Sequence, residues 1–419
     1  MRKTTLPLIL LLGLANMVVC SAKMGRAQRN SMPTIANNMW PEGIGHGEVS
    51  TPHIQNLERY MYYMTEQALV GRDARPNFIW DTITRVGGIM GTPPPSMGDW
   101  IIYDTTIVED SVLIINGSII VSETGALILK NSEIYMNLTI GGEHWIDVYG
   151  NLTVLSSLIT AYNTSNNYFI RVFDGGKLRI ENSEISYAGY EGGLLNDKLG
   201  IWINTSNAII RNTTIHNSMC GVYLYKTTNV VIANNVMLDN SFGIYLDNSE
   251  GNMIYGNKIN HSWGYGIYID HSVNNDIYNN TVQDSLIYGV CIAYSDLNNV
   301  SYNRFFDDGL FVYDSFNCIV EGNTVNSKPL LYLEGEKDLD ISTEAGQIIL
   351  VSCQNITIHG QHIVDTDVGI ELWDTRNVKI YDNILEHNRV GICLASMSNT
   401  SGKNCICLLY TSPSPRDRG

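Results

Sequence analysis

Between Gly200 and Gly309 the chain alternates apolar and other residues with period two in short lines that each open on glycine: Gly200 to Ile203, Gly221 to Leu224, Gly243 to Leu246, Gly266 to Ile269, Gly289 to Ile292 and Gly309 to Val312. Ile201 and Ile203, Val222 and Leu224, Ile244 and Leu246, and Ile267 and Ile269 therefore share one face, and the residue between each pair points the other way. Apolar residues do not recur at three and four, and β-branched residues dominate, so each line predicts a strand rather than a helix. The lines repeat every 20 to 23 residues, too short a unit to close a domain by itself. Two or three strands per repeat, joined at Gly and Asn turns, coil the chain so that equivalent residues stack about 4.8 Å apart in the next turn. One turn buries only half a core, and its neighbours supply the rest.

Asn212, Asn234, Asn257 and Asn280 stand nine residues before four of these glycines, and Asn207, Asn229, Asn252 and Asn275 stand five residues earlier still. The first set predicts a turn ladder in which side-chain amides bond to equivalent amides above and below. Looser versions of the repeat start at Gly125, Gly150 and Gly176; residues 328–346 interrupt it, and it resumes at Gly369 and Gly391. The expected architecture is all-β, a parallel solenoid over residues 100–406. Residues 23–99 precede it, with an amphipathic stripe of Ile54, Leu57, Met61, Met64 and Ala68 that predicts a short helical cap for the first turn. Thr92 to Met97, with three prolines, reads as a hinge.

Residues 1–22, with Arg2 and Lys3 before an apolar run, read as a secretory signal peptide. No other stretch is long and apolar enough for a membrane span. At the other end, Cys407 to Asp417 reads like a translated sequencing adapter, so residues 407–419 are set apart and the natural chain is expected to extend beyond Ile406. The net charge of -16 argues against nucleic acid as partner and favours neutral polymers or cations. Cys220, Cys291, Cys318, Cys353, Cys393 and Cys405 are scattered without zinc-like or redox spacing, and sequons such as Asn151 and Asn212 are compatible with a glycosylated exterior.

The glycine-led lines resemble the parallel β-helix repeats of the NosD-like and carbohydrate-binding/sugar-hydrolase families. The stretch from Lys328 through Gly346 to Val351, followed by Asn355 to Ile358 and Gly369 to Leu372, is similar to secreted archaeal members. The resemblance implies a right-handed helix. It also implies a choice of functions: a surface protein, a polysaccharide hydrolase or lyase, or an accessory role in copper-site maturation, as in NosD itself. No catalytic motif of these families matches residue by residue.

The position two after each glycine carries Trp202, Tyr223, Tyr245 and Tyr268, which predicts an exterior aromatic stripe suited to the apolar C–H faces of a polysaccharide. Two residues further on, Asp247 and Asp270 fall on adjacent turns, where two close carboxylates could share a proton for acid catalysis or hold calcium. His359 and His362 are weak candidates for a metal. The leading expectation is a secreted or cell-surface glycan-binding β-helix without a cofactor; hydrolase or lyase activity through Asp247 and Asp270 stands second, and copper-site maturation third.

Overall fold

Alternation becomes strands of two to seven residues, three to a turn, whose inward side chains stack into two apolar clusters. The computed structural model describes residues 87–190, 196–395 and 405–406. The signal peptide, the 51–68 helical cap and the adapter-like tail lie outside these residues.

The chain forms a right-handed parallel β-solenoid of about 13 turns. Its first ten turns build three sheets. Sheet I runs from Trp100–Ile102 to Leu310–Tyr313, sheet II from Thr105–Glu109 to Ile319–Glu321, and sheet III from Val112–Ile115 to Thr324–Val325. Gly88–Met90 pairs antiparallel with Thr105–Glu109 and closes the starting edge of sheet II. The recurrent glycines sit where consecutive turns touch. A Cβ on Gly243 would lie 2.4 Å from the carbonyl oxygen of Gly266, and one on Gly266 2.5 Å from that of Gly289, closer than any side chain tolerates.

Between sheets II and III the chain turns on two residues with distinct duties. The first adopts a left-handed conformation, as Asn182, Asn212 and Asn234 do at φ 51, 51 and 54°. The second points inward and bonds up and down the stack. Ser132, Ser157, Ser183 and Thr213 fill this inward position in the early turns, and Asn235, Asn257, Asn280, Asn303 and Asn323 in the later ones. The amide nitrogen of Asn257 donates to Asn280 Oδ1 at 3.0 Å, and that of Asn235 to Asn257 Oδ1 at 3.0 Å. The predicted ladder is thus corrected. Asn257 and Asn280 belong to it, whereas Asn212 and Asn234 are the left-handed residues one step earlier. Three residues separate sheet III from sheet I after Leu238 but four after Asn260, so a fixed count back from glycine changes column at that point. A second amide ladder, Asn252, Asn275 and Asn298, lines the turn between sheets I and II.

At the interruption the chain reverses. Lys328–Glu334 pairs antiparallel with Thr324–Val325, then parallel with Gln347–Val351, and a smaller solenoid continues through Val368–Trp373 and Val390–Ala395 around its own core of Ile348, Ile358, Ile370 and Ile380. Its outward side chains cap the last strand of sheet I. Gln347 donates to the Leu310 carbonyl at 2.7 Å and accepts from the Leu310 amide at 2.9 Å, Glu371 accepts from Val312 N at 3.2 Å, and Asp367 Oδ2 accepts from Gly289 N and Gly309 N, each at 2.8 Å. Polar side chains here replace the hydrogen bonds of a missing next strand.

Candidate functional site

Sheet I presents three outward columns: the two-residue repeat of its strands sets the central one and its C-terminal neighbour, while from Gly200 onward the N-terminal column lies three residues before the central one, past an irregularity at the glycine. The central column holds Asp147, Arg171, Trp202, Tyr223, Tyr245, Tyr268, Cys291 and Phe311 in register. On one side run Trp145, Phe169, Phe242, Tyr265 and Tyr288. Tyr225, Asp247 and Asp270 run on the other.

Trp202, Tyr223, Tyr245 and Tyr268 do point away from the core, as their spacing implies. Their exposures are nevertheless only 7, 0, 2 and 3%. Turn-to-turn spacing suits ring stacking: Tyr223 lies on Tyr245 with centroids 4.6 Å apart and Tyr245 on Tyr268 at 5.0 Å, while Trp202 stacks on Tyr225 at 5.8 Å and Phe242 on Tyr265 at 5.5 Å. The stripe is therefore a closed stack, and the solvent-reaching rings lie beside it. Tyr149, 38% exposed, stacks on half-buried Phe173 at 4.5 Å, and half-buried Tyr225 continues that side.

Asp247 and Asp270 are direct neighbours in register, 8% and 2% exposed. Each receives a tyrosine hydroxyl from the preceding turn: Tyr223 donates to Asp247 Oδ2 at 2.7 Å and Tyr245 to Asp270 Oδ2 at 3.5 Å. The remaining oxygens are engaged by Asn248 on Asp247 and by His271 Nδ1 on Asp270 at 2.7 Å. Burial pushes the Asp270 carboxyl above the ordinary range and the Asp247 charge adds to this, against the opposing pull of His271 and Tyr245. His271 stacks on Tyr294 with centroids 5.0 Å apart and reaches solvent. With all four carboxylate oxygens bonded to protein groups, the pair offers little to calcium, which takes six to eight oxygen ligands.

Two features escaped the sequence reading. His271 is one; its signal was an imidazole directly after an outward acid, at a left-handed turn position (φ 47°). The other is Arg171, which grips Asp147 through Nε and Nη2 at 2.8 and 2.9 Å and Asp197 through Nη1 at 2.8 Å, beneath the rings of Trp145, Phe169 and Phe173. Its column was visible only in the later, more regular turns.

His359 Nε2 bonds Asp340 at 2.9 Å and its ring stacks on Tyr381, whereas His362 Nε2 faces Glu386 at 3.4 Å. They lie on different strands with different partners. Among the described residues no group of three or more His, Cys, Asp or Glu could hold a metal ion. Cys318 and Cys353 are buried with their thiols on backbone carbonyls, so this donor set does not fit a copper site. No described helix is long and apolar enough to cross a membrane.

Residues 194–325 match the family of right handed beta helix regions, and residues 317–407 match the family described as periplasmic copper-binding protein (NosD). No curated protein matches the chain. Among solved structures, the periplasmic alginate epimerase AlgG superposes with a TM-score of 0.50 at 16% identity, over 70% of this chain and 85% of that one. A double mutant of the same epimerase gives 0.50 at 17% identity, over 73% and 85%. The Dettilon tailspike protein gives 0.38 at 13% identity, over 70% and 62%. At these identities the likeness is one of fold.

Proposed function

We propose that this chain, whose residues 194–325 and 317–407 match the right handed beta helix and NosD families, binds polysaccharide outside the cytoplasm through the outer face of sheet I. The observation that carries this reading is the run of rings along that face, with Tyr149, Phe173 and Tyr225 at its accessible margin and a stacked, buried series of tyrosines holding them rigid. Sugar rings present apolar C–H faces to such aromatics, and a pre-ordered row suits a polymer because little entropy is lost on binding. The epimerase of the same fold is named for a polysaccharide and for the periplasm, which supports both the ligand class and the location. The leader-like residues 1–22 point the same way.

Affinity electrophoresis against a panel of soluble polysaccharides tests this. Tyr225→Ala and Tyr149→Ala each weaken retention at least about tenfold, the scale of losing one good aromatic contact. Tyr381→Ala, an exposed ring on the smaller solenoid, leaves it unchanged. Equal retention for all three variants removes the proposal.

A hydrolase or lyase is the second reading, favoured by the desolvated Asp270 beside Asp247, with His271 at its solvent edge. It requires sugar release that disappears in Asp270→Asn. Polysaccharide binding that survives Asp247→Asn combined with Asp270→Asn, with no release by the parent protein, excludes it. Copper-site maturation is not proposed, because among the described residues the His and Cys donors do not gather.

A further inference from the structure

Sheet II has outward columns of its own. In consecutive turns its strands Lys177–Glu181, Ala208–Arg211, Val231–Ala233, Met253–Tyr255 and Asp276–Tyr278 lie in parallel register. One outward column through them reads Arg179, Ile209, Val231, Met253, Asp276: a cation, three apolar side chains and an anion. Ile209 and Met253 are 39% and 38% exposed, so the centre of the column is an apolar strip open to solvent. Arg179 is held on Glu181 through Nε at 2.9 Å and Nη2 at 3.0 Å, yet its side chain stays 53% exposed. Asp276 is exposed as well; it accepts from the Asn299 side-chain amide at 3.0 Å and, among the described residues, pairs with no cation. The adjoining column carries Arg211, Ala233 and Tyr255 over the same turns.

This order is complementary to its own reverse. Consider a second copy laid face to face with its solenoid axis reversed, about a two-fold axis parallel to the Val231–Ala233 strand. Each column then faces the same column read backwards. Arg179 meets the partner's Asp276, Ile209 meets the partner's Met253, and Val231 meets the partner's Val231 on the axis. In the adjoining column Arg211 falls on the ring of the partner's Tyr255, a cation over an aromatic face. With the two solenoids parallel instead, Arg179 would oppose the partner's Arg179 and Asp276 the partner's Asp276, so like charges disfavour that arrangement.

We infer that the outer face of sheet II joins two copies of this chain in an antiparallel, two-fold dimer. A chain of net charge -16 repels its own copy at long range, so association depends on local pairing, and this column supplies an ion pair at each end of an apolar centre. Glu181 fixes the Arg179 guanidinium before the partner arrives, which lowers the entropy lost on docking. From Arg179 to Asp276 the strip is about 19 Å long at the usual strand spacing. An interface of that length is small, and a micromolar dissociation constant is expected. The inference uses no sheet I residue and is independent of the glycan reading.

Sedimentation velocity on the full chain from about 1 to 200 µM tests it. The parent chain should pass from monomer to dimer over that range. Arg179→Glu and Asp276→Lys should each weaken dimerisation at least about tenfold, because each sets like charges against one another at both ends. An equimolar mixture of these two variants should recover the dimer, since every reversed charge then meets its opposite. That recovery separates a lost contact from a lost fold. Tyr381→Ala, on the smaller solenoid, should dimerise as the parent does. A parent chain that stays monomeric throughout overturns the inference, as does dimerisation that survives both charge reversals. A mixture that stays monomeric although both variants keep the parent circular dichroism overturns it as well.

Discussion

Asn257 shows what one residue does in a stacked fold. Its amide nitrogen donates to Ile232 O at 2.9 Å and to Asn280 Oδ1, and its Oδ1 accepts from both the backbone and the side-chain nitrogen of Asn235 at 3.0 Å. Asn257→Ala strands those partners in a buried turn, at about 1 to 3 kcal/mol for each group left unsatisfied. It should lower the urea midpoint clearly, whereas Asn212→Gly, at an exposed left-handed position outside the ladder that glycine adopts without strain, should change stability by no more than about 0.5 kcal/mol. Equal midpoints for the two variants would contradict the column assignment. In the sequence these two asparagines looked equivalent. Repetition announced that asparagines stack, but the extra residue after Asn260 hid which ones do. Conversely, the inward hydroxyls of Ser132, Ser157 and Ser183 hold the same position with a different side chain, and no search for repeated asparagine finds them. Tyr223 and Tyr245 teach a related lesson: period two gives the side of the sheet a ring faces, and the neighbouring columns decide whether it meets solvent.

The element that matters most beyond the repeat is the last strand of sheet I, Leu310–Tyr313, whose free edge is met by side chains of the smaller solenoid. Asp367 is central to that contact. It accepts from Gly289 N and Gly309 N and from Arg389 Nη2 at 3.2 Å, and it lies against Asp308, whose Oδ1 is buried without a partner. Burial raises the Asp367 carboxyl to about 6 and pushes Asp308 upward as well; Arg389 is the opposing cation, and Glu371, also raised by burial, stands further along the edge. A carboxyl with a raised folded-state pKa contributes stability that is complete below its ordinary value near 4 and is lost as pH rises through about 6. Docking should therefore be tightest in acid and loosen toward pH 8. Amide hydrogen exchange at Gly289 and Gly309, corrected for intrinsic rates, should show lower protection at pH 8 than at pH 5, and Asp308→Asn should reduce that difference. PH-independent protection in the parent chain would refute the account. None of this was legible in the sequence, because residues 289 and 367 meet only after the chain reverses at Lys328, and the break in periodicity there carried no sign of a hairpin.

At the scale of the whole molecule, the two solenoids build two apolar clusters, one running through ten turns and the other through about three, with Ile349, Val351 and Trp373 of the smaller array packed into the larger cluster. In a stack each turn is stabilised by its neighbours, so the shorter array, with fewer interfaces per turn, is the weaker. The buried cysteines report on this without any probe being added to the fold. Cys353 lies in the smaller core, and Cys220 lies within the sixth turn of the larger one. Cys291 belongs to the larger solenoid by sequence, but it faces outward toward Glu371 and Asp367, whose charges act on its thiol. Undocking and unfolding of the smaller solenoid should therefore free Cys353 and Cys291 together. Pulsed thiol alkylation along a urea gradient, read by peptide mass spectrometry, should label these two at lower urea than Cys220. Labelling of all three in a single step would mean that the edge contacts of Gln347, Asp367 and Glu371 bind the two arrays into one cooperative unit. Protection of Cys291 that follows Cys220 rather than Cys353 would mean that its burial comes from the aromatic face around Tyr268 and Tyr288 and not from the cap.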